Sequence, residues 1–351
     1  MLDIISIGDP TVDTILEISD ATVKCHLNRE DCLLCINYGE KIGVHSLYRK
    51  IAGNACNNAV GSARLGMKTA YYGVVGNDDH GEGIIKYLKK QRVADTYLKA
   101  DKDHPTNAST VIGFNGERTI LVYHAPRTYT LPRLAPSHWV YYSSVNADHK
   151  KLNKGVVAHA KKVGAKLCYN PGTFQRLAGK EAMQSVAKHC EIVFVNKREA
   201  QDLTGCRVHD IPKLLKEMLK IGMKITVITD GENGSYVHDG RHGYAMGIVR
   251  VPVVEKTGAG DAYASAFIAL LHRGKNIPEA MCLASSNSAS VILKYGPQDG
   301  LLSAVELPRF QADVEDLGQA PAPALPCPAL VRCPERKGGR EMHRDPRDPP
   351  S

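Results

Sequence analysis

Four apolar runs, WVYYSS (139–144), KLCYN (166–170), EIVFVN (191–196) and KITVIT (224–229), decide the fold. Each is strand-sized, and helix-like stretches at 151–163 and 211–221 lie among them. Continuously apolar strands alternating with helices predict a mostly parallel sheet covered on both faces. Working outward, DIISIG (3–8) reads as another buried strand, stopped by a glycine. Two polar excursions interrupt the alternation. Residues 21–51 carry short alternating pieces such as CLLCINYGEKI. Further on, 108–114 and 118–124 are strand-like and joined by Asn115-Gly116, a favourable hairpin turn. Two β excursions returning to one α/β body predict a small lid built from about 14–50 and 95–125.

The 351 residues suffice for one large α/β domain with a real core or for two smaller ones. No apolar run approaches the length of a membrane span, and MLDIISIGD lacks both a basic leader and a small-residue cleavage site. A cytoplasmic protein with no membrane partner is the expectation. A net charge of +8 suits anionic ligands such as phosphates. The basic residues are dispersed without interleaved aromatics, so no specific nucleic-acid partner is expected.

The ten cysteines show no framework spacing. Cys32-Leu33-Leu34-Cys35, with Cys25 and His26 upstream, invites a zinc reading. Residues three apart on a strand point to opposite faces, which favours reduced cysteines in a strand pair instead. Near Phe310 the composition shifts to proline and charge, which sets a domain over 1–310 and a tail over 311–351 expected to be disordered.

The chemistry concentrates at Thr257-Gly258-Ala259-Gly260-Asp261, followed by the apolar helix AYASAFIALLHRG. A glycine turn running into a helix leaves backbone N–H groups pointing forward, and the helix dipole adds positive potential. Together they suit a transferring phosphoryl group. Asp261, in the first turn, has the chemistry to accept a proton from a substrate hydroxyl; a helix cap is its other reading. The chain has no GxxxxGK[ST], no DFG segment, and no GxGxxG after its first strand, so phosphate handling needs a different scaffold from those signatures.

This segment resembles the carboxyl-terminal signature of the PfkB (ribokinase-like) family of sugar and nucleoside kinases, and further motifs follow in the family's order. Gly8-Asp9-Pro10-Thr11-Val12-Asp13 is similar to the first-strand turn, which implies Asp13 as a ligand for substrate hydroxyls. Ala52-Gly53-Asn54-Ala55-Cys56-Asn57-Asn58-Ala59 resembles the GGNAxNxA loop, implying Gly53, Asn54 and Asn57 as substrate contacts. Asn54 also reads as a helix N-cap. Asn196-Lys197-Arg198-Glu199 resembles NxxE, implying that Asn196 and Glu199 hold hydrated Mg2+ beside the ATP phosphates; the same pair reads as a helix capping box. Thr229, Gly231 and Gly234 resemble the strand-end nucleotide motif, Asn287 a position near adenine, and Asn170 a substrate or phosphate contact that equally serves a turn.

The resemblance spans about residues 2–305 and implies a ribokinase-like three-layer α/β/α sandwich with a β lid. It implies an ATP-dependent carbohydrate kinase with Asp261 as base and Gly258, Ala259 and Gly260 completing the anion hole. The extended insert and GDPTVD also bear likeness to adenosine-kinase members, so a nucleoside acceptor stands beside a sugar. A non-catalytic sugar or nucleotide sensor is the rival from another class. Glu255-Lys256-Thr257 stands where many members have Asp-Thr-Thr, a departure at the family's monovalent-cation site. Lid strands in the family sometimes pair between subunits, which adds a homodimer to the expected partners.

Overall fold

A computed structural model describes residues 1–25, 32–115, 117–146 and 149–316. In chain order the first half runs β1 (Leu2–Ile7), β2 (Thr11–Ile18), β3 (Thr22–Cys25), β4 (Cys32–Cys35), β5 (Val44–Ala52), α1 (Asn54–Arg64), β6 (Thr69–Tyr72), β7 (Val74–Gly76), α2 (Asp79–Lys90), β8 (Lys99–Asp101), β9 (Ala108–Phe114) and β10 (Glu117–Tyr123). The second half runs β11 (Ser137–Tyr142), α3 (Lys150–Val163), β12 (Lys166–Tyr169), α4 (Thr173–Leu177), α5 (Lys180–Ala187), β13 (Ile192–Asn196), α6 (Lys197–Thr204), α7 (Ile211–Leu219) and β14 (Ile225–Thr229). A single 3-10 turn (Gly231–Asn233), β15 (Ser235–His238), β16 (Gly243–Met246), α8 (Ala259–His272), α9 (Ile277–Ile292) and α10 (Glu306–Asp316) complete it.

The central sheet has the order β16-β15-β14-β13-β12-β11-β1-β6. From β6 to β14 every pairing is parallel; β14-β15-β16 is an antiparallel edge. Alternation along each parallel strand divides the core into two layers. Ile4, Tyr71, Tyr141, Ile192 and Val227 face α1, α8 and α9. Their neighbours Ile5, Tyr72, Tyr142, Val193 and Ile228 face α3, α5, α6 and α7. Such side chains each contribute about 1.5–3 kcal/mol on burial. The sheet and its two helical layers make the three-layer α/β/α sandwich expected from the sequence.

Helix α8 is buried all round from Asp261 to Leu270, as a helix in the interior of a layer must be. It packs against α1 at Gly61, where an added Cβ would lie 2.4 Å from Ser265 Oγ. That absence of a side chain sets how closely the two helices approach.

The lid is a four-stranded sheet of order β10-β9-β2-β5. Its central pair, β2 and β9, is parallel, and the outer pairs are antiparallel. Strand β8, within the second range expected for the lid, pairs with β7 instead. Strands β3 and β4 form a separate exposed hairpin in which Cys25 and Cys32 sit directly opposite and form a disulfide, with Cα atoms 4.2 Å apart. This corrects the expectation of reduced cysteines there: the pairing register, which a CxxC spacing does not reveal, makes Cys32 the partner of Cys25 and leaves Cys35 free. His26 and Gly116 lie outside the described residues.

The expected tail boundary also falls inside a helix, because α10 runs through the composition break to Asp316. Leu307 and Val314 are buried, and Phe310 packs beside Val249 and Ala289. This sparse helical stripe escaped the reading of the segment as lacking an apolar face. The remaining residues, 317–351, lie outside the described ones. Among the described residues no helix is long and apolar enough to cross a membrane.

Filling the α1–α8 contact tests the packing. A Gly61→Leu variant is expected to lose about 1–3 kcal/mol of stability by overpacking, read as a lower urea midpoint at unchanged m-value.

Candidate functional site

Three chain segments converge where β1 leaves the central sheet. The glycine turn closes first. Gly258 has φ 83°, the left-handed region, and a Cβ there would meet Pro297 at 2.4 Å, so conformation and space both require glycine. The first intrahelical bond runs from the Ala262 N–H to the Gly258 carbonyl at 2.8 Å. The amides of Ala259, Gly260 and Asp261 therefore precede the helical ladder. A Cβ on Gly260 would meet nothing within 4 Å, so the space beside the start of this helix is open.

Asp261 is only 8% exposed. Its Oδ2 accepts a hydrogen bond from Asn57 Nδ2 at 2.7 Å. Burial pushes the carboxyl up to about 7, the charge of Glu199 adds to that shift, and the Asn57 bond opposes it. A carboxyl poised near neutral pH suits general-base work. Asn57 lies in the first turns of α1, so the α1–α8 packing brings together two residues 204 apart in sequence.

Gly53 introduces α1 with φ 105°, and a Cβ there would lie 2.5 Å from the Asp9 carbonyl. Asn54 does not cap the helix with its side chain; its Nδ2 donates instead to Asn170 Oδ1 at 3.1 Å. Asn170 is held by its own donation to the Phe194 carbonyl and by the Ser143 hydroxyl, which donates to its carbonyl. Asn54 and Asn170, placed separately by motif, thus meet across the strand ends. On the lid side, Asp13 lies on β2 and is buried, with Oδ1 lacking any partner. Burial, then the charge of Glu255, push it up to about 6.

The remaining residues divide. Asn196 and Glu199 form a reciprocal capping box at α6: Asn196 N–H donates to Glu199 Oε2, and Glu199 N–H to Asn196 Oδ1, each at 2.9 Å. Burial pushes the Glu199 carboxyl upward. Thr229 ends β14, and Gly231 and Gly234 shape the following turn; at Gly234 a Cβ would lie 2.1 Å from the Met246 carbonyl. Asn287 is not brought to this opening. It is fully buried behind α8, where its amide donates to the Ala262 carbonyl and accepts from the Leu302 N–H.

Sequence reasoning missed two features. Asp9, buried and pushed up to about 6 by desolvation, accepts from Tyr129 Oη and from the Asn146 N–H, while its Oδ1 has no partner. Asp9 lies within Gly8-Asp9-Pro10-Thr11-Val12-Asp13, where the resemblance points to Asp13 alone. Gln298, in the loop between α9 and α10, donates to Asn57 Oδ1 at 2.7 Å.

A buried carboxyl in the first turn of a helix whose leading amides precede the helical ladder suits a small-molecule phosphotransferase. The comparisons give the family: residues 14–304 match the model of the pfkB family carbohydrate kinases, and the chain belongs to that family. It is accordingly an ATP-dependent carbohydrate kinase. A 5-dehydro-2-deoxygluconokinase 1 of Bacillus cereus is 28% identical over 293 residues, covering 76% of this chain and 87% of that protein. Among solved structures, Arabidopsis thaliana ribokinase complexed with ribose and ATP is similar with TM-score 0.72 and 19% identity, covering 88% of this chain and 98% of that one. A Burkholderia thailandensis nucleoside kinase in complex with inosine is similar with TM-score 0.71 and 16% identity, covering 89% and 96%. Both share the fold.

Burial of Asp261 has a stability cost with a defined sign. Its folded value near 7 lies above the roughly 3.9 of an exposed aspartate. Its contribution is therefore fully present below about pH 4 and lost as pH rises through about 7. Asp261→Asn is expected to raise stability at pH 8 by on the order of 2–4 kcal/mol, with no gain below pH 4, read from denaturant midpoints at the two pH values.

Proposed function

We propose that this kinase transfers the γ-phosphoryl group of ATP to a hydroxyl of a small sugar, with Asp261 taking the hydroxyl proton. The observation that carries this reading is the buried Asp261 carboxylate, tuned near neutrality beside amides that open onto free space. The N–H groups of Ala259, Gly260 and Asp261 receive the charge on the transferring group, and Gly258 sets the turn that aims them. Asp13, Gly53, Asn54, Asn57 and Asn170 position the acceptor; the unpartnered Asp13 Oδ1 is a ready acceptor for a sugar hydroxyl. Thr229, Gly231 and Gly234 form the nucleotide side. Asn287 supports this wall from behind α8 and makes no contact with the base in our reading.

Asn196 and Glu199 suit Mg2+ held through water. Their oxygens are hard donors, and a cation would offset the cost of burying Glu199. Magnesium supplies neutralisation of phosphate charge. Glu255 Oε1 and Thr257 Oγ1 are buried without partners, a pair of oxygens that suits a monovalent cation despite the altered motif. Closure of the lid excludes water and protects ATP from futile hydrolysis. The requirement for ATP favours a cytoplasmic setting; a disulfide is uncommon there, and the exposed Cys25–Cys32 bond is open to reduction. The exposed β10 edge of the lid is where a homodimer would pair.

One observation favours a nucleoside acceptor. Tyr48 of the lid stacks on Tyr295 at 4.7 Å between ring centroids, an aromatic surface suited to a base. ADP release, followed with ATP and Mg2+ over ribose, fructose, 5-dehydro-2-deoxygluconate, adenosine and inosine, separates the readings. Turnover on a sugar supports the proposal, and turnover confined to nucleosides replaces it with the second reading. ATP binding without turnover on any acceptor supports a sensor.

On the acceptor so found, Asp261→Ala should lower kcat about 10²–10⁴-fold while leaving KM nearly unchanged. Wild-type kcat should fall tenfold per pH unit below about 7, as the carboxylate protonates. Glu199→Gln keeps a side chain able to cap α6. It should leave the melting temperature within about 2 °C and raise the Mg2+ needed for half-maximal turnover about tenfold, read by metal titration after EDTA treatment.

A further inference from the structure

Asn57 meets Asp261 with its amide nitrogen, yet an amide side chain has two ends of nearly equal shape and opposite polarity. If it flipped, Asn57 Oδ1 would face a carboxylate oxygen and the contact would become repulsive. What selects the productive orientation is the group facing the other end. Asn57 Oδ1 points at Gln298 Nε2, 2.7 Å away, and only a donor fits there. The same Nε2 reaches Cys56 Sγ at 3.7 Å, so both its hydrogens have acceptors. Gln298 is 2% exposed, and its backbone carbonyl accepts from Arg64 Nη1 at 2.8 Å, which fixes the loop beneath it.

That loop does more than support Gln298. Tyr295 stacks on Tyr48 of β5, and Asp299 pairs with Lys50 of β5 at 2.5 Å. Gly296 N–H donates to Glu255 Oε2 at 2.7 Å, and Pro297 packs against Gly258 of the glycine turn. One short segment therefore touches the lid, the turn before α8 and the side chain that orients Asn57.

We infer that Gln298 is a positioning residue for phosphoryl transfer: it locks the Asn57 amide with its N–H toward Asp261, and its loop carries the lid's position to that lock. This rests on the assignment of Asp261 as base. Asn57 from α1 touches Asp261, and Cys56 from α1, Tyr141 from β11 and Glu199 from α6 are coupled to it electrostatically. Asn57 alone among them donates to the carboxylate in the structure, so its orientation governs the balance between the two protonation states.

The test uses the full chain labelled with carboxyl-13C aspartate, with the Asp261 signal assigned by its loss in Asp261→Asn. In Gln298→Met, of similar volume and without a donor, the Asp261 titration midpoint should rise by about one pH unit. The acid limb of kcat should move with it, giving about a tenfold loss at pH 6 with the acceptor KM within about twofold. Gln298→Glu, which adds a negative charge, should move both in the same direction and further; it serves if the methionine variant fails to fold. A Gln298 variant that folds and titrates Asp261 like the wild type overturns the inference, as does a limb that stays in place while kcat drops uniformly. A shifted carboxyl titration in a protein that turns over no acceptor supports the lock and counts against Asp261 as base, so the two readings fail separately.

Discussion

The hydrogen bond between Asn57 and Asp261 joins everything this chain does. It crosses from α1 to α8, two helices whose contact depends on Gly61 having no side chain. It gives the buried Asp261 carboxylate a side-chain donor. Burying a charge unpaired costs several kcal/mol, and one amide hydrogen bond offsets only part of that. The carboxyl consequently sits near neutrality rather than near 4. The molecule keeps a group whose ionised form destabilises the fold, and the same destabilisation suits it to the base role proposed for it. Stability and reactivity are opposed at one atom.

The body around that bond follows from elementary patterning. Residues adjacent in each parallel strand, such as Tyr141 and Tyr142, belong to different helical layers, and this alternation alone generates the sandwich. The glycines mark where backbone must approach backbone: Gly53 against Asp9, Gly258 against Pro297, Gly234 against Met246. These close approaches bring the sheet ends, the lid base and the N-terminus of α8 to one opening.

Much of this was legible in the sequence, because strands, helices and glycine turns announce themselves within a dozen residues. The parallel body, the lid hairpin 108–123 and the helix after Gly258 needed no long-range information. Gln298 and Asp9 were illegible for the converse reason. Each is a polar residue in a loop, and its meaning lies in a partner 241 or 120 positions away. The Cys25–Cys32 bond depended on a strand register that spacing does not encode. Asn196 and Glu199 show a different limit: one spacing satisfies both a helix cap and a metal site, and the folded chain displays the cap. The end of the domain was obscured because α10 buries Leu307 and Val314 and half-buries Phe310 among polar neighbours.

Asp9 gives the lid a mechanical character. It sits in the three-residue passage from β1 of the body to β2 of the lid, and Tyr129 and the Asn146 N–H both hold it. The Asn146 side chain donates to the carbonyl of Ala125, just past β10, whose N–H in turn donates to Asn107 Oδ1, just before β9. Three crossings between lid and body are thus tied into one buried knot. That knot fixes the base of the lid, while Tyr48 on Tyr295 and Lys50 with Asp299 tie its β5 side to the loop before α10. The end of the lid that carries Asp13 is therefore its most firmly held part. A substrate held by Asp13, as proposed, would be gripped where the lid is most firmly anchored to the body.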